Sequence, residues 1–318
     1  MRTLVFLEHH DGAIQKGALG VLSKAASLGD AAGVVVGAGA RGAAEQAARH
    51  GAATVYVAEG PGLDAPLPQP RVDVLAGVAG ESGFDGVLFA QSVLSADIAA
   101  GLAVRLGAGL NWDLVDVRDD NGRLVGVRPA LGDSVYVDVG WRSTPCLALF
   151  RAGSFEPAEA VGAGAIVDVA VELRPFSSYA TLTGHDVEEP AGPSIEEADV
   201  IVAGGRGLGG PEGFAQLEEL AKALGGAVAA TRAVVDAGWY PYATQVGQTG
   251  KTVSPKLYIA CGISGAIQHK VGMQGSGTIV AVNRDSNAPI FEFCDIGIVG
   301  DLNEIVPKLT ELIQARSS

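Results

Sequence analysis

The chain has 318 residues, 48% of them hydrophobic, and a formal net charge of −14. That length suits two domains with separate cores, and the acidic balance excludes nonspecific nucleic-acid binding, which needs clustered Lys and Arg. Cys146, Cys261 and Cys294 lie far apart with no CxxC, so they read as thiols in a reducing compartment, not as a disulfide frame or a zinc site.

The N-terminus, MRTLVFLEHH, holds an apolar run that ends at Glu8. It is too short for a signal-peptide core and reads as a first β-strand. No run reaches the roughly 18 charge-free apolar residues of a membrane helix. A cytoplasmic protein that is not itself membrane-embedded is expected. Glu8, His9 and His10 invite a metal reading, but no carboxylate or histidine cluster recurs nearby, so an exposed strand-end loop is expected there.

From Thr3 to about Val117, apolar runs at 4–7, 33–37, 54–57 and 86–90 alternate with helical patterns at 13–28, 41–50, 71–81 and 95–106. Ile98, Leu102 and Leu106, for example, stack on one helical face. Strands joined through helices make right-handed βαβ units and a mostly parallel sheet. After Asn111 the runs at 114–117, 124–128, 135–139 and 146–150 follow one another without helices, and Asn121-Gly122 is a hairpin turn signal. These predict closing strands, some antiparallel, at the edge of the first domain, with a further strand over 166–173. The stretch 174–197 carries Pro175, Pro190 and Pro193 with little apolar periodicity, and sets a domain boundary near Pro190, giving domains 1–189 and 190–318.

Alternation then restarts. A strand over 200–203 precedes the glycine turn Gly204 to Gly210, and a helix over 211–224 is closed by Gly225-Gly226. Strands are predicted over 227–230, 257–260, 278–282 and 290–293, with a terminal helix over 302–315.

Three loops in this half carry the chemistry. Gly205 to Gly210, GRGLGG, satisfies G-x-G-x-x-G between a strand and a helix. The acidic residue expected about 20 positions on is missing, and the next strand ends at Thr231-Arg232 instead. A hydroxyl beside a guanidinium suits a phosphate or an anionic ring, not a ribose diol, so a nicotinamide-dependent dehydrogenase is disfavoured. Gln245 to Gly250, QVGQTG, runs into Lys251-Thr252 like the end of a P-loop, but Pro255 would stop the required helix in its first turn. Gly262 to His269, GISGAIQH, closes where a helix is expected to begin. Small residues there let the backbone approach a ligand, and His269 lies where a hydrogen bond or partial positive charge could stabilise an anion on a heterocycle. Nothing supplies an obvious nucleophile.

GRGLGG, ATRAVVDAGW, QVGQTGKTVSPKLYIACGISGAIQH, AVNRDSNAPIF and DIGIVGDL, in that order, resemble the α subunit of electron transfer flavoproteins from about Gly204 to the C-terminus. AGLAVRLGAGL and FRAGSFEPAEA resemble the family's first domain more loosely. The resemblance implies an α/β protein of two domains: an N-terminal Rossmann-like domain and a C-terminal flavodoxin-like, doubly wound parallel-sheet domain that binds FAD. It also implies a heterodimer whose β subunit covers the flavin and holds an AMP. Such a carrier, not itself an enzyme, passes electrons from dehydrogenases, commonly the acyl-CoA dehydrogenases of fatty acid β-oxidation, to a membrane quinone oxidoreductase. A bifurcating relative would hold a second FAD in the β subunit and accept electrons from NADH.

Carried over by position, the resemblance puts Arg206 and Arg232 near the flavin or its phosphates, with Arg232 over the isoalloxazine beside Thr231. Thr249 would bond the flavin near N5, with Gln245, Val246, Gly247, Gln248 and Gly250 in the same loop. His269 would face the pyrimidine end near O2. Ser264, Gly265, Ala266, Ile267 and Gln268 would hold the ribityl–pyrophosphate region, and Asn283 and Asp301 the adenosine end. Thr231 stands where the family often has Ser. Gly209-Gly210 replaces a more polar pair and Lys270-Val271 an apolar one.

Overall fold

A computed structural model describes residues 1–10, 12–131, 133–160, 162, 164–184 and 194–317. The chain divides into two compact units, Met1–Asp186 and Val187–Ser318. The boundary expected near Pro190 lies outside the described residues.

The first unit is built on a seven-stranded sheet. Its order is Ala165–Asp168, Thr54–Ala58, Asp30–Val36, Arg2–Phe6, Gly86–Ala90, Cys146–Phe150 and Leu110–Leu114. Every neighbouring pair in it is parallel. The central runs bury both faces: all five residues of Gly86–Ala90 are buried, as are six of the seven in Asp30–Val36. Apolar residues without alternation are what a parallel sheet covered by helices requires. The first helix begins at Lys16, not Ala13, because Ala13–Ile14 pairs antiparallel with His9–His10.

The expected strand over 114–117 is in fact a change of sheet. Leu114 ends the parallel edge strand Leu110–Leu114, whereas Val117 belongs to Asp116–Asp120 in a separate antiparallel sheet with Arg123–Ala130 and Val135–Val139. The strand Cys146–Phe150 is not at the edge but lies inside the main sheet. Arg151, just beyond it, holds the switch of sheets: its guanidinium donates to Asp113 at 2.8 Å and to Asp133 at 2.7 Å. Both aspartates have positive φ, 60° and 64°, a conformation that costs a non-glycine residue unless its surroundings hold it.

Glu8 is not in an exposed loop. It is 8% exposed, and its carboxylate accepts from the hydroxyls of Ser92 and Ser95, with Ser95 at 3.0 Å. Ser92 also caps the helix Val93–Leu106 by accepting from the Ser95 amide. No group of three or more His, Cys, Asp or Glu suited to a metal occurs among the described residues.

Asp73, 6% exposed in the helix Pro68–Ser82, is a second buried anchor. It accepts from Arg105 at 2.6 Å, the Arg174 amide at 2.9 Å and the Ser177 hydroxyl at 2.6 Å. Those bonds sew the short 3₁₀ turn Pro175–Ser178 onto the helices. The expected strand over 166–173 is confined to Ala165–Asp168, at the sheet edge opposite Leu110–Leu114.

The second unit has a six-stranded parallel sheet. Its order is Gln245–Val246, Ala227–Thr231, Val200–Gly204, Leu257–Cys261, Thr278–Asn283 and Ile296–Val299. Chain direction across the sheet reverses between Val200–Gly204 and Leu257–Cys261, which makes that gap the topological switch point. The strand expected over 290–293 is instead the 3₁₀ turn Pro289–Glu292, and the edge strand comes at Ile296–Val299. Pro289 explains the shift: its ring fixes φ for a turn and it has no N–H for a ladder. The helix expected from Pro211 opens as a 3₁₀ turn and becomes α-helical only over Phe214–Leu224. Leu302–Ser317 forms the terminal helix. No helix of the described residues is long and apolar enough to cross a membrane.

At the switch point two loops meet backbone to backbone. A Cβ on Gly205 would lie 2.4 Å from the Gly262 carbonyl oxygen, and one on Gly207 would lie 2.6 Å from the Gly262 Cα. Gly205 has φ −116°, which any residue adopts, so space alone demands glycine there.

Two outcomes follow from these contacts. Burial pushes the Asp73 carboxyl up, but the bonds from Ser177, the Arg174 amide and Arg105 outweigh it and hold the group below its ordinary range. Its contribution is therefore present at neutral pH and lost as pH falls below about 4. Asp73→Ala is expected to lower the stability of the first unit by about 3 kcal/mol in urea unfolding and to flatten its loss as pH falls below about 4. Gly205→Ala is expected to cost about 2 kcal/mol in thermal unfolding of the second unit, through overpacking.

Candidate functional site

All six strands of the second unit run parallel, so their carboxyl ends share one edge, and the nominated residues gather along it. Arg206 follows Val200–Gly204, and Thr231 ends Ala227–Thr231 with Arg232 next. Gly247 to Gly250 follow Gln245–Val246, and Ser264 to His269 follow Leu257–Cys261. Asn283 ends Thr278–Asn283, and Asp301 comes just after Ile296–Val299.

Local bonding sorts these residues into floor and rim. In GRGLGG the amides of Gly205 and Gly207 donate to Cys261 and Gly262, and those of Leu208 and Gly209 donate within the loop. Its glycines serve close packing, and these amides are not available as a phosphate cradle. The 3₁₀ turns before Phe214 likewise separate it from the helix a dinucleotide fingerprint would open. Arg206 itself is exposed.

The QVGQTG loop is a tight bulge. The Lys251 amide donates to Gln245 at 2.7 Å and the Gly250 amide to Gly247 at 3.0 Å. Gln245 and Val246 are buried at its base, while Gln248, Thr249 and Gly250 form an exposed tip. Gln245 acts from inside: its amide donates to the Thr249 carbonyl at 3.0 Å and to the Thr249 hydroxyl oxygen at 3.2 Å. That leaves the hydroxyl proton of Thr249 for an outside acceptor. Val246 packs in the core and pairs in register with Thr231. Lys251 is spent on Glu196 at 2.8 Å, and no helix follows Thr252.

The tip is tied to the third loop, since the Gln248 amide donates to the Gln268 carbonyl at 2.7 Å. Ser264, Ala266, Ile267 and Gln268 are exposed, and Gly265 is buried where a Cβ would lie 2.3 Å from the Ile290 nitrogen. The expected helix opens at Ile267 and runs to Met273. Asn283 joins the same assembly by donating to the Ile263 carbonyl at 2.9 Å. Asp301 accepts from the Asn303 amide at 2.9 Å and so caps the terminal helix. Arg232 pairs with Asp236 at 3.2 Å, an exposed i,i+4 contact worth about 0.3–0.5 kcal/mol and readily given up.

His269 differs from the expectation of a partly charged, outward ring. It is 7% exposed, its Nδ1 lies 3.1 Å from the Val246 carbonyl oxygen and its Nε2 lies 3.0 Å from the Tyr258 hydroxyl. Burial pushes its pKa down to about 4, against a smaller upward pull from Val246. It is neutral at pH 7, so the positive charge at this edge comes from Arg206 and Arg232. Tyr258 is a participant that sequence patterning missed. The signal was available: a phenol inside the apolar run LYIAC must find a partner for its hydroxyl.

All three cysteine thiols, Cys294 included, are raised in pKa by burial, so none is favoured as a thiolate at neutral pH. Burial pushes the thiols of Cys146 and Cys261 up to about 11 and about 12. What the edge offers is a glycine floor that side chains would fill, an exposed rim of hydroxyl and amide groups, and the guanidinium groups of Arg206 and Arg232. These residues fit a long, polar, anionic ligand laid across the switch point.

Comparison with known proteins gives that ligand a family. The model of the electron transfer flavoprotein domain matches residues 3–173, and that of the electron transfer flavoprotein FAD-binding domain matches residues 194–274. The chain is 47% identical over 315 residues to the electron transfer flavoprotein subunit alpha of Mycobacterium tuberculosis, covering 98% of each chain. It is 45% identical over 315 residues to that of Mycobacterium leprae, again covering 98% of each. With the Bacillus subtilis subunit it shares 40% identity over 286 residues, 89% of this chain and 87% of the relative. The chain belongs to the electron transfer flavoprotein family, as an α subunit with that family's FAD-binding domain.

Proposed function

We propose that the carboxyl edge of the second unit binds one FAD and that the chain, paired with a β subunit, carries electrons from dehydrogenases to a quinone oxidoreductase. The observation that carries this reading is the convergence of loops from different strands on one switch point, linked by direct backbone contacts and lined with exposed donors. When bound, the flavin supplies the electron-transfer chemistry, and the chain supplies binding, orientation and electrostatics.

Each group has a part the local structure supports. Thr249, with its oxygen already accepting from Gln245, donates its proton toward the flavin N5 region. Gln248 and Gly250 flank it on the exposed tip. Ser264, Gly265, Ala266, Ile267 and Gln268 take the ribityl–pyrophosphate stretch, and Asn283 and Asp301 the adenosine end. Arg232, beside Thr231, leaves Asp236 for the ring system, and Arg206 stands near the phosphates. Both favour negative charge, so both raise the affinity for the reduced, anionic cofactor. His269 contributes no charge at neutral pH and faces the pyrimidine end of the ring near O2.

Acyl-CoA dehydrogenases are the donors of first choice, and the β subunit holds an AMP. The chain is a carrier and turns over no substrate alone.

The decisive preparation is the chain co-expressed and purified with an electron transfer flavoprotein β subunit. One FAD per heterodimer, reduced by an acyl-CoA dehydrogenase with its substrate, is the expected result. Two FADs, one of them reducible by NADH, would replace this reading with the bifurcating one. A colourless preparation that stays colourless after FAD is added would end the flavin assignment. Arg232→Ala is expected to lower the flavin midpoint potential by roughly 40 mV, the one-electron equivalent of about 1 kcal/mol. An unchanged potentiometric titration would remove Arg232 from the ring.

A further inference from the structure

Gln245 lies beneath the loop that it begins. It is 2% exposed, and its side-chain nitrogen lies 3.0 Å from the Thr249 carbonyl oxygen and 3.2 Å from the Thr249 hydroxyl oxygen. A carbonyl only accepts, so the atom that faces it is the NH2 nitrogen and not the amide oxygen. The two protons of that group match the two oxygens. The hydroxyl therefore receives a hydrogen bond from inside the loop, and its own proton cannot point at a group that is itself a donor. That proton points outward, on a residue that is exposed.

The rest of the loop keeps this arrangement in place. A Cβ on Gly250 would lie 2.3 Å from the Gln245 carbonyl oxygen and 2.9 Å from the Gln245 Cγ, so glycine is what lets the glutamine sit directly under the tip. The Lys251 amide closes the loop onto the same Gln245 carbonyl at 2.7 Å. From outside, the Tyr242 hydroxyl donates to the Thr249 carbonyl at 3.4 Å, so that carbonyl is held by two donors. Both oxygens of Thr249 are thus engaged before any ligand arrives.

We propose that Gln245 is a positioning residue for the flavin site: buried beneath the loop, it fixes the Thr249 hydroxyl as a donor, so that the edge selects a flavin whose N5 is a bare acceptor. The inference rests on the FAD reading above, with Thr249 toward N5. It moves Gln245 from the cofactor's contacts, where its place in the loop put it, to the frame that aims one of them. A hydroxyl free to rotate must be ordered when a ligand binds. One whose oxygen is already engaged from inside offers its proton without that cost.

The test measures binding of FAD and of 5-deaza-FAD, in which N5 is replaced by C–H and no acceptor remains at that position, to the heterodimer stripped of its cofactor. The unaltered protein is expected to bind FAD about tenfold more tightly than the analogue, the scale of one buried hydrogen bond. The carboxyl group of Gln245→Glu cannot donate to both Thr249 oxygens and draws the hydroxyl proton inward. In that variant the ratio of the two Kd values should fall to near one, as it should in Thr249→Val, which has no hydroxyl. A merely structural role for Gln245 would weaken both flavins together and leave the ratio unchanged. Equal affinity of the unaltered protein for the two flavins overturns the proposal, and so does a Gln245→Glu protein that keeps the full ratio. Gln245→Met, which has no donor, takes the place of the carboxyl variant if that does not fold, with the same outcomes. If neither flavin binds the unaltered protein, the FAD reading fails and this inference falls with it, whereas equal binding of both overturns the orientation of Thr249 alone.

Discussion

The site depends on two loops that touch without side chains. Where Gly205 and Gly207 meet Gly262, the strands on either side of the switch point deliver their loops so close that a methyl group would overlap a backbone atom. The Gly205 amide bonds to Cys261 and the Gly207 amide to Gly262, so the contact is a hydrogen-bonded seam and not merely a tight fit. Everything above it inherits that geometry. Gly262 also bonds to Val282, and the Ile263 carbonyl accepts from Asn283, which brings the next strand to the same place. The glycines hold the rim residues at fixed heights, as a site carried on rigid elements requires.

The first unit has the same kind of sheet and a switch point of its own, flanked by Arg2–Phe6 and Gly86–Ala90. There Glu8 follows one strand, Ser92 and Ser95 cap and open the helix after the other, and these side chains bond one another across the gap. The buried carboxylate closes the gap with bonds from two hydroxyls, where the second unit leaves an exposed polar rim. Two similar frameworks thus reach opposite ends through the residues that follow the central strands. This is the general lesson that function lies in sites carried by a fold and not in the fold itself.

Much of this was legible in the sequence because parallel sheets write themselves plainly. The runs at 86–90, 146–150 and 257–260 are apolar, short and bounded by glycine or charge, and each became a strand. The loops were legible too, because glycine clusters after a strand have few other uses. What failed were places where a local rule was overridden. Ile290 to Phe293 reads as a strand by composition, yet Pro289 turns the chain into a 3₁₀ turn and the edge strand is displaced to Ile296–Val299. Leu114 and Val117 look continuous, yet the Leu114 carbonyl accepts from the Arg151 amide in one sheet while the Val115 amide donates to Val127 in the other. His269 and Glu8 show the limit most clearly. Sequence order makes them polar groups on loops, and only tertiary packing makes them buried and fully engaged. The partners that engage them, Tyr258, Ser92 and Ser95, are distant enough that no spacing rule joins them.

The depth of Cys261 has a bearing on durability. This thiol ends a strand at the carboxyl edge of the second unit and is 0% exposed, and burial pushes its pKa up to about 12. The thiolate is the form that peroxides and disulfides attack. A protein that handles electrons for its living is exposed to stray oxidants at its own site, and a reactive sulfur one residue below the Gly262 seam would be the first casualty. Seated as it is, Cys261 packs as a small apolar residue, and the seam above it is shielded from oxidative wear.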